Sequence, residues 1–185
     1  MMKKLSILVL AIACSAPAFA NTNFSGVSVG MELDVFEYQI GTQNKRITDA
    51  NVVGSYGIVH KNDLVSSFDV KAGVTSPRIN VPSIKIEQRY SASVAYRLGY
   101  AGFHEKFLPY VKASYEYVHL KDDEPNVNAK EDLHGYGFGV GVKYVPVNNI
   151  ELGAEFTRKK LDSSDFGIES DFEIKSFTLG GAYRF

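Results

Sequence analysis

Four histidines, His60, His104, His119 and His134, are the side chains in this sequence best suited to acid–base or metal chemistry. His119 and His134 flank an acidic stretch holding Asp122, Asp123, Glu124, Glu131 and Asp132. Imidazoles beside carboxylates are the donors of a zinc site or of a proton-transfer pair. The spacing favours neither. Zinc needs three or four convergent ligands, and acids clustered in a loop are usually solvated charge. The Asp-Asp-Glu run also lacks the spacing and the glycine of a calcium loop. The glycines at 135, 137, 139 and 141 fail as a phosphate-binding loop, because no helix follows and Pro146 breaks the segment. No catalytic residue, metal ligand or cofactor site is expected.

A second set of ionisable residues follows another rule. Glu32, Asp34, Asp69, Glu87, Glu116, Glu151 and Glu155, with Lys71, Lys85, Arg89, Arg97, Lys112, Lys143 and Arg184, fall on the polar phase of a period-two pattern. That phase is otherwise Ser, Thr and Gly, and the opposite phase is apolar or aromatic. Alternation of this kind marks strands with one greasy face. The sum is seven acids against seven bases.

Eight segments carry the pattern, at about 24–36, 50–60, 64–75, 84–98, 107–119, 134–144, 150–158 and 174–185. The last is the most regular, with Phe177, Leu179, Gly181, Tyr183 and Phe185 on one face and Ser176, Thr178, Gly180, Ala182 and Arg184 on the other. A strand that ends flush with the terminus must be held by a partner, or it frays. A closed barrel supplies one. Connectors alternate too. Lys61–Asp63, Gly99–Lys106 and Val145–Asn149 read as short turns; Ile40–Asp49, Ser76–Ser83, Leu120–Leu133 and Lys159–Phe172 read as longer polar loops. Strands of about 9–11 residues tilted at ~45° cross a bilayer. The expected fold is therefore all-β, an eight-stranded antiparallel up-and-down transmembrane β-barrel. A soluble barrel with a greasy interior is disfavoured, since interleaved charges and glycines make a poor solvent face.

The ends bound the location. Lys3 and Lys4, an apolar run from Leu5 to Cys14, and Ala18-Phe19-Ala20 read as a signal peptide over residues 1–20, leaving a barrel domain at 21–185. Without Lys3 and Lys4 the remainder holds 18 basic and 21 acidic residues and no cysteine. Nothing in that balance suggests a nucleic-acid partner.

The stretch Leu108–Tyr115, the glycine-rich Gly135–Lys143 and the tail Ser176–Phe185 resemble the small eight-stranded outer-membrane β-barrel superfamily, which includes the OmpA transmembrane domain and the OmpX-type and opacity-like proteins. The resemblance implies an integral protein of a Gram-negative outer membrane that meets lipid and lipopolysaccharide. It also implies that Phe177, Leu179, Tyr183 and Phe185 are the signal read by the barrel assembly machinery. Surface loops for adhesion, host contact or envelope protection are the leading function. A small porin-like channel and a lipid A-modifying barrel enzyme are the alternatives. None of the four histidines has the serine two positions on that such deacylases carry. The bore of an eight-stranded barrel is filled by side chains. The charged set therefore reads as a salt-bridge plug, with a charge-lined pore as the other reading, and the glycine column as room for long Arg and Lys side chains.

Overall fold

The computed structural model describes residues 23–40, 43–75, 77–81, 84–122, 130–163 and 172–185. They form β1 (Gly26–Ile40), β2 (Gln43–Val59), β3 (Leu64–Gly73), β4 (Arg78–Val81), β5 (Ile84–Tyr100), β6 (Phe107–Asp122), β7 (Lys130–Val147), β8 (Ile150–Ser163) and β9 (Phe172–Arg184). Eight long strands run in the order β3-β2-β1-β9-β8-β7-β6-β5, and pairing of β3 with β5 closes the ring. Every neighbouring pair is antiparallel. The last strand pairs with the first from Ser28↔Arg184 to Glu37↔Lys175, and the Phe185 amide adds a bond to the Val27 carbonyl at 2.9 Å.

The described residues of the four long connectors read from the sequence are mostly strand. β1 and β2 pair out to Ile40↔Gln43, β6 and β7 to Lys121↔Lys130, and β8 and β9 to Leu161↔Phe172. Between β3 and β5 lies β4, paired with β5 from Arg78↔Glu87 to Val81↔Ile84. The alternation of apolar and polar residues fades once a strand leaves the apolar band, yet backbone pairing continues. A bulge between Gln88 and Tyr90 shifts the β5–β6 register.

Burial is reversed relative to a soluble protein. Leu33, Val140 and Leu179 are more than half exposed on the outer face, while Asp34, Asp69 and Thr157 are almost wholly buried inside. An apolar band facing outward is what lipid requires. The buried apolar cluster is small. Phe24, Val65, Leu108 and Val145, backed by Val59 and Ala101, meet at the short-turn end. These residues lie on or beside the inward phase, so hydrocarbon instead of charge gathers at one end of the bore.

Two short turns use the left-handed region at non-glycine residues, Asp63 (φ 58°) and Asn149 (φ 74°). Asn and Asp tolerate that region better than other side chains. Asn149 also anchors the last strand: its carbonyl accepts from the Arg184 amide and its Nδ2 donates to the Arg184 carbonyl, each at 2.7 Å. Asn149→Ala is expected to lower stability by about 1–3 kcal/mol, through strain plus a lost hydrogen bond. Asn149→Gly should lose only the hydrogen-bond part. Urea unfolding of the refolded barrel, followed by heat-modifiable gel mobility, separates the two.

Candidate functional site

The inward phase of the strands brings the charged residues together in the bore. Glu32, Asp34, Asp69, Lys71, Arg97, Lys112, Glu116, Lys143, Glu151, Glu155 and Arg184 are all buried there. The side chains of Lys85, Glu87 and Arg89 lie outside the described residues. Two further charges sit among the buried ones, Asp49 on β2 and Lys159 on β8. Both stand at the ends of loops in the sequence pattern, because the apolar signal stops short of them while the strands do not.

The network is layered. Above the apolar cluster, Glu151 accepts from Lys143 at 2.6 Å and from Arg184, whose Nη1 also reaches the Gly26 carbonyl at 3.3 Å. The next layer centres on Arg97. Its Nη1 lies 2.9 Å from Asp69 Oδ2, and its Nη2 lies 3.2 Å from Glu32 and 3.4 Å from Glu155. Asp69 is on β3, Glu32 on β1 and Glu155 on β8, so one guanidinium on β5 joins walls on both sides of the bore. A planar five-donor fork suits that task better than an ammonium would.

Glu155 is the most heavily bonded acceptor in this layer. It takes hydrogen bonds from Lys112 Nζ, from Thr157 Oγ1 at 2.8 Å and from Tyr110 Oη at 3.0 Å. The Tyr110 ring lies beneath Arg97, 5.2 Å from ring centre to guanidinium carbon. Toward the long-hairpin end, Lys71 pairs with Asp34 at 2.8 Å and Glu32 at 3.4 Å, and Thr178 and Asn51 also donate to Asp34. Lys159 pairs with Glu116 at 3.1 Å and sits 5.0 Å from the Phe36 ring centre.

The glycine column makes room for one lysine of the kind expected and, more closely, for other neighbours. A Cβ on Gly141 would come within 2.5 Å of the Tyr110 ring, and one on Gly137 within 2.7 Å of Ser114 Oγ and 3.4 Å of Lys159 Cγ. The column chiefly seats a tyrosine and small hydroxyls.

The histidines lie apart from this network. His60 Nε2 and Ser66 Oγ are 2.8 Å apart at the β2–β3 turn. His104 Nδ1 accepts from the Lys106 amide at 3.1 Å. His119 contacts Asp132 at 2.5 Å and stacks on Tyr90, ring centres 4.6 Å apart, and Tyr117 Oη donates to the same Asp132 oxygen at 2.9 Å. Residues 123–129 lie outside the description, as do the side chains of Asp122 and Glu131. Among the described residues no three His, Cys, Asp or Glu side chains gather as metal ligands.

A family model described as the outer membrane protein beta-barrel domain matches residues 6–185. The chain belongs to this family. The outer-membrane barrel is similar in fold to Neisserial surface protein A, with a TM-score of 0.64 and 16% identity over 87% of this chain and 98% of that one. It is similar also to the attachment invasion locus protein Ail of Yersinia pestis, solved with the heparin analogue sucrose octasulfate, with a TM-score of 0.62 and 15% identity over 87% and 99%. Outer membrane protein AlkL in DMPC bilayers gives a TM-score of 0.51 and 17% identity over 91% and 94%. No curated protein matches the sequence.

In this outer-membrane barrel, truncating one partner of a buried pair leaves the other charge stranded. Glu155→Ala is expected to cost about 3–5 kcal/mol, and Glu155→Leu combined with Lys112→Met should recover much of that. Equilibrium unfolding in lipid vesicles reads both. At the long-hairpin end, hydrogen bonds from His119 and then Tyr117 hold the Asp132 carboxyl below the ordinary carboxylate range. A depressed carboxyl pKa favours the paired hairpin above the ordinary range, and that contribution is lost as pH falls through the depressed value. Tyr117→Phe should move the Asp132 titration upward, measurable by carboxyl-carbon NMR.

Proposed function

We propose that the protein is a non-enzymatic outer-membrane barrel with a sealed bore, which holds its long hairpins rigid at the cell surface for adhesion, host contact or envelope protection. The observation that carries this reading is Arg97, ion-paired with Glu32, Asp69 and Glu155 across the bore. A water column wide enough for solute has no room beside it. The apolar cluster at the short-turn end seals the bore a second time. Binding loops on a rigid scaffold are a common way to carry function.

In this reading residues 1–20 are a cleaved signal, the short turns face the periplasm, and Phe177, Leu179, Tyr183 and Phe185 present the assembly signal. Those four side chains lie on the outer face, each about half exposed. Arg158, Lys160 and Lys175 project outward just past Phe156 and Phe177. In this reading these basic side chains meet the phosphates of lipopolysaccharide. Ail is described with a sulfated heparin analogue, and a surface ligand for the hairpins of this chain is part of the proposal.

Two measurements test it. Planar-bilayer recordings of the refolded protein should show no single-channel steps, and Arg97→Ala combined with Phe24→Ala, which opens both seals, should introduce them. Reproducible steps from the unaltered protein would overturn the sealed bore. Shortening the chain at 123–129 and 164–171 should preserve heat-modifiable mobility and weaken attachment of expressing cells to host-cell surfaces or their survival in serum. Unchanged attachment and survival would overturn the surface role, and any change in lipid A mass on expression would overturn the non-enzymatic one.

A further inference from the structure

Among the described residues, the polar filling of the bore stops short of the long-hairpin end. On six strands the inward residue two positions beyond the outermost described polar or glycine position is aliphatic or aromatic. These are Phe36 beyond Asp34, Ile47 beyond Asp49, Val118 beyond Glu116, Leu133 beyond Gly135, Leu161 beyond Lys159 and Ile174 beyond Ser176. Together they wall a cavity of about 130 Å³ whose floor is Asp34, Asp49, Asn51, Lys71, Glu116 and Lys159. Leu161 is buried, and the other five wall residues are half-buried. The β3–β5 side is lined by Ser91, Ala92 and Ser93.

This collar is unlike the rest of the molecule. The outward apolar residues meet lipid, and the apolar cluster at the short-turn end is packed on itself. The collar instead faces an open volume above a charged floor. Lys159 lies under the Phe36 ring and is paired with Glu116, so the floor is fixed in place by its own bonds. A cavity near 150 Å³ lined by Leu, Ile and Phe binds benzene or xenon. The dimensions here fit a ligand of the same size.

We propose that the collar is a binding site for a small apolar molecule of about one aromatic ring, held against Phe36, Ile47, Val118, Leu133, Leu161 and Ile174. The charged floor stops the ligand from passing down the bore. The site is therefore a receptor pocket at the barrel mouth and is separate from the hairpin surfaces of the proposed function. Removing apolar side-chain area from water supplies the affinity. On the floor Lys71 is paired with Asp34 and Glu32, and Lys159 with Glu116, an arrangement that selects against charged ligands.

The test uses the protein isolated from the outer membrane in lipid nanodiscs, with methyl-labelled Ile, Leu and Val, and toluene as the probe. Saturable shifts confined to the Ile47, Val118, Leu133, Leu161 and Ile174 methyls are expected. The outward Val111, Val140 and Leu152 methyls should show only a linear drift as toluene partitions into lipid. Val118→Trp fills the cavity and should abolish the saturable response. If that variant does not fold, Ile174→Asn takes its place and should weaken binding at least tenfold. Inward and outward methyls responding alike and linearly would overturn the site, as would saturation that survives the substitution. A saturable response to dodecane but not toluene would also overturn it, in favour of an acyl-chain groove.

Discussion

Closure of the backbone hydrogen-bond ring is the constraint from which the rest of this structure follows. Inside a bilayer no water satisfies a free amide or carbonyl, and each one left open costs several kcal/mol. Every strand in the band therefore needs two neighbours. The pairings of β1 with β9 and of β3 with β5 meet that need at the two places where chain order does not. The detail at the C-terminus reflects it: the Phe185 amide bonds to Val27, and Asn149 clasps both backbone groups of Arg184. An end that would fray in a soluble sheet is held by three hydrogen bonds.

Closure with eight strands sets the width of the bore, and the width sets its chemistry. There is space for side chains and little else. Inward charges cannot rely on bulk water and must satisfy one another. Glu155 collects four donors, Lys112, Tyr110, Thr157 and Arg97, while Asp69 is held, among the described residues, by its ion pair with Arg97 alone. Small residues complement this crowding. Gly141 lies where a Cβ would strike Tyr110, whose hydroxyl is one of the four donors. Pairing also explains the long hairpins. Beyond the apolar band an unpaired strand could turn to water, but the ladder persists to Ile40↔Gln43 and Lys121↔Lys130, so the protein extends well past the membrane as ordered sheet.

Phase was legible in the sequence, and partnership was not. Period-two alternation distinguishes inward Glu116 from outward Tyr115 with no knowledge of the neighbours, and the eleven expected lumen charges with described side chains all lie inward. Asp49 and Lys159 were missed because strand ends were placed where outward residues stop being apolar. Past that point Arg158 and Lys160 occupy the outward phase, and the contrast that marks a strand disappears while its hydrogen bonds continue. The apolar cluster was missed for the converse reason. Phe24, Val65, Leu108 and Val145 put hydrocarbon on or beside the polar phase, which blurs alternation. Which acid meets which base depends on strands three apart around the ring, as for Arg97 with Glu32 and Glu155, and no local spacing encodes that.

Why the bore is filled with charge instead of hydrocarbon has a physical answer in register. A strand that is apolar on both faces gives lipid no means of choosing between them. Slipping its pairing by one residue would cost little, because a slip exchanges the two faces. With Arg97, Lys112 and Glu155 on one phase, the same slip exposes them to the bilayer, at about 2–4 kcal/mol for each Arg or Lys near the midplane. Eight strands with such contrast specify both the face and the stagger of every pairing. The apolar residues allowed inside are consistent with this, for the cluster at the short turns and the collar at the hairpins both lie at the ends of the charged column. There the turns and the water boundary already fix the register, so the contrast is no longer needed.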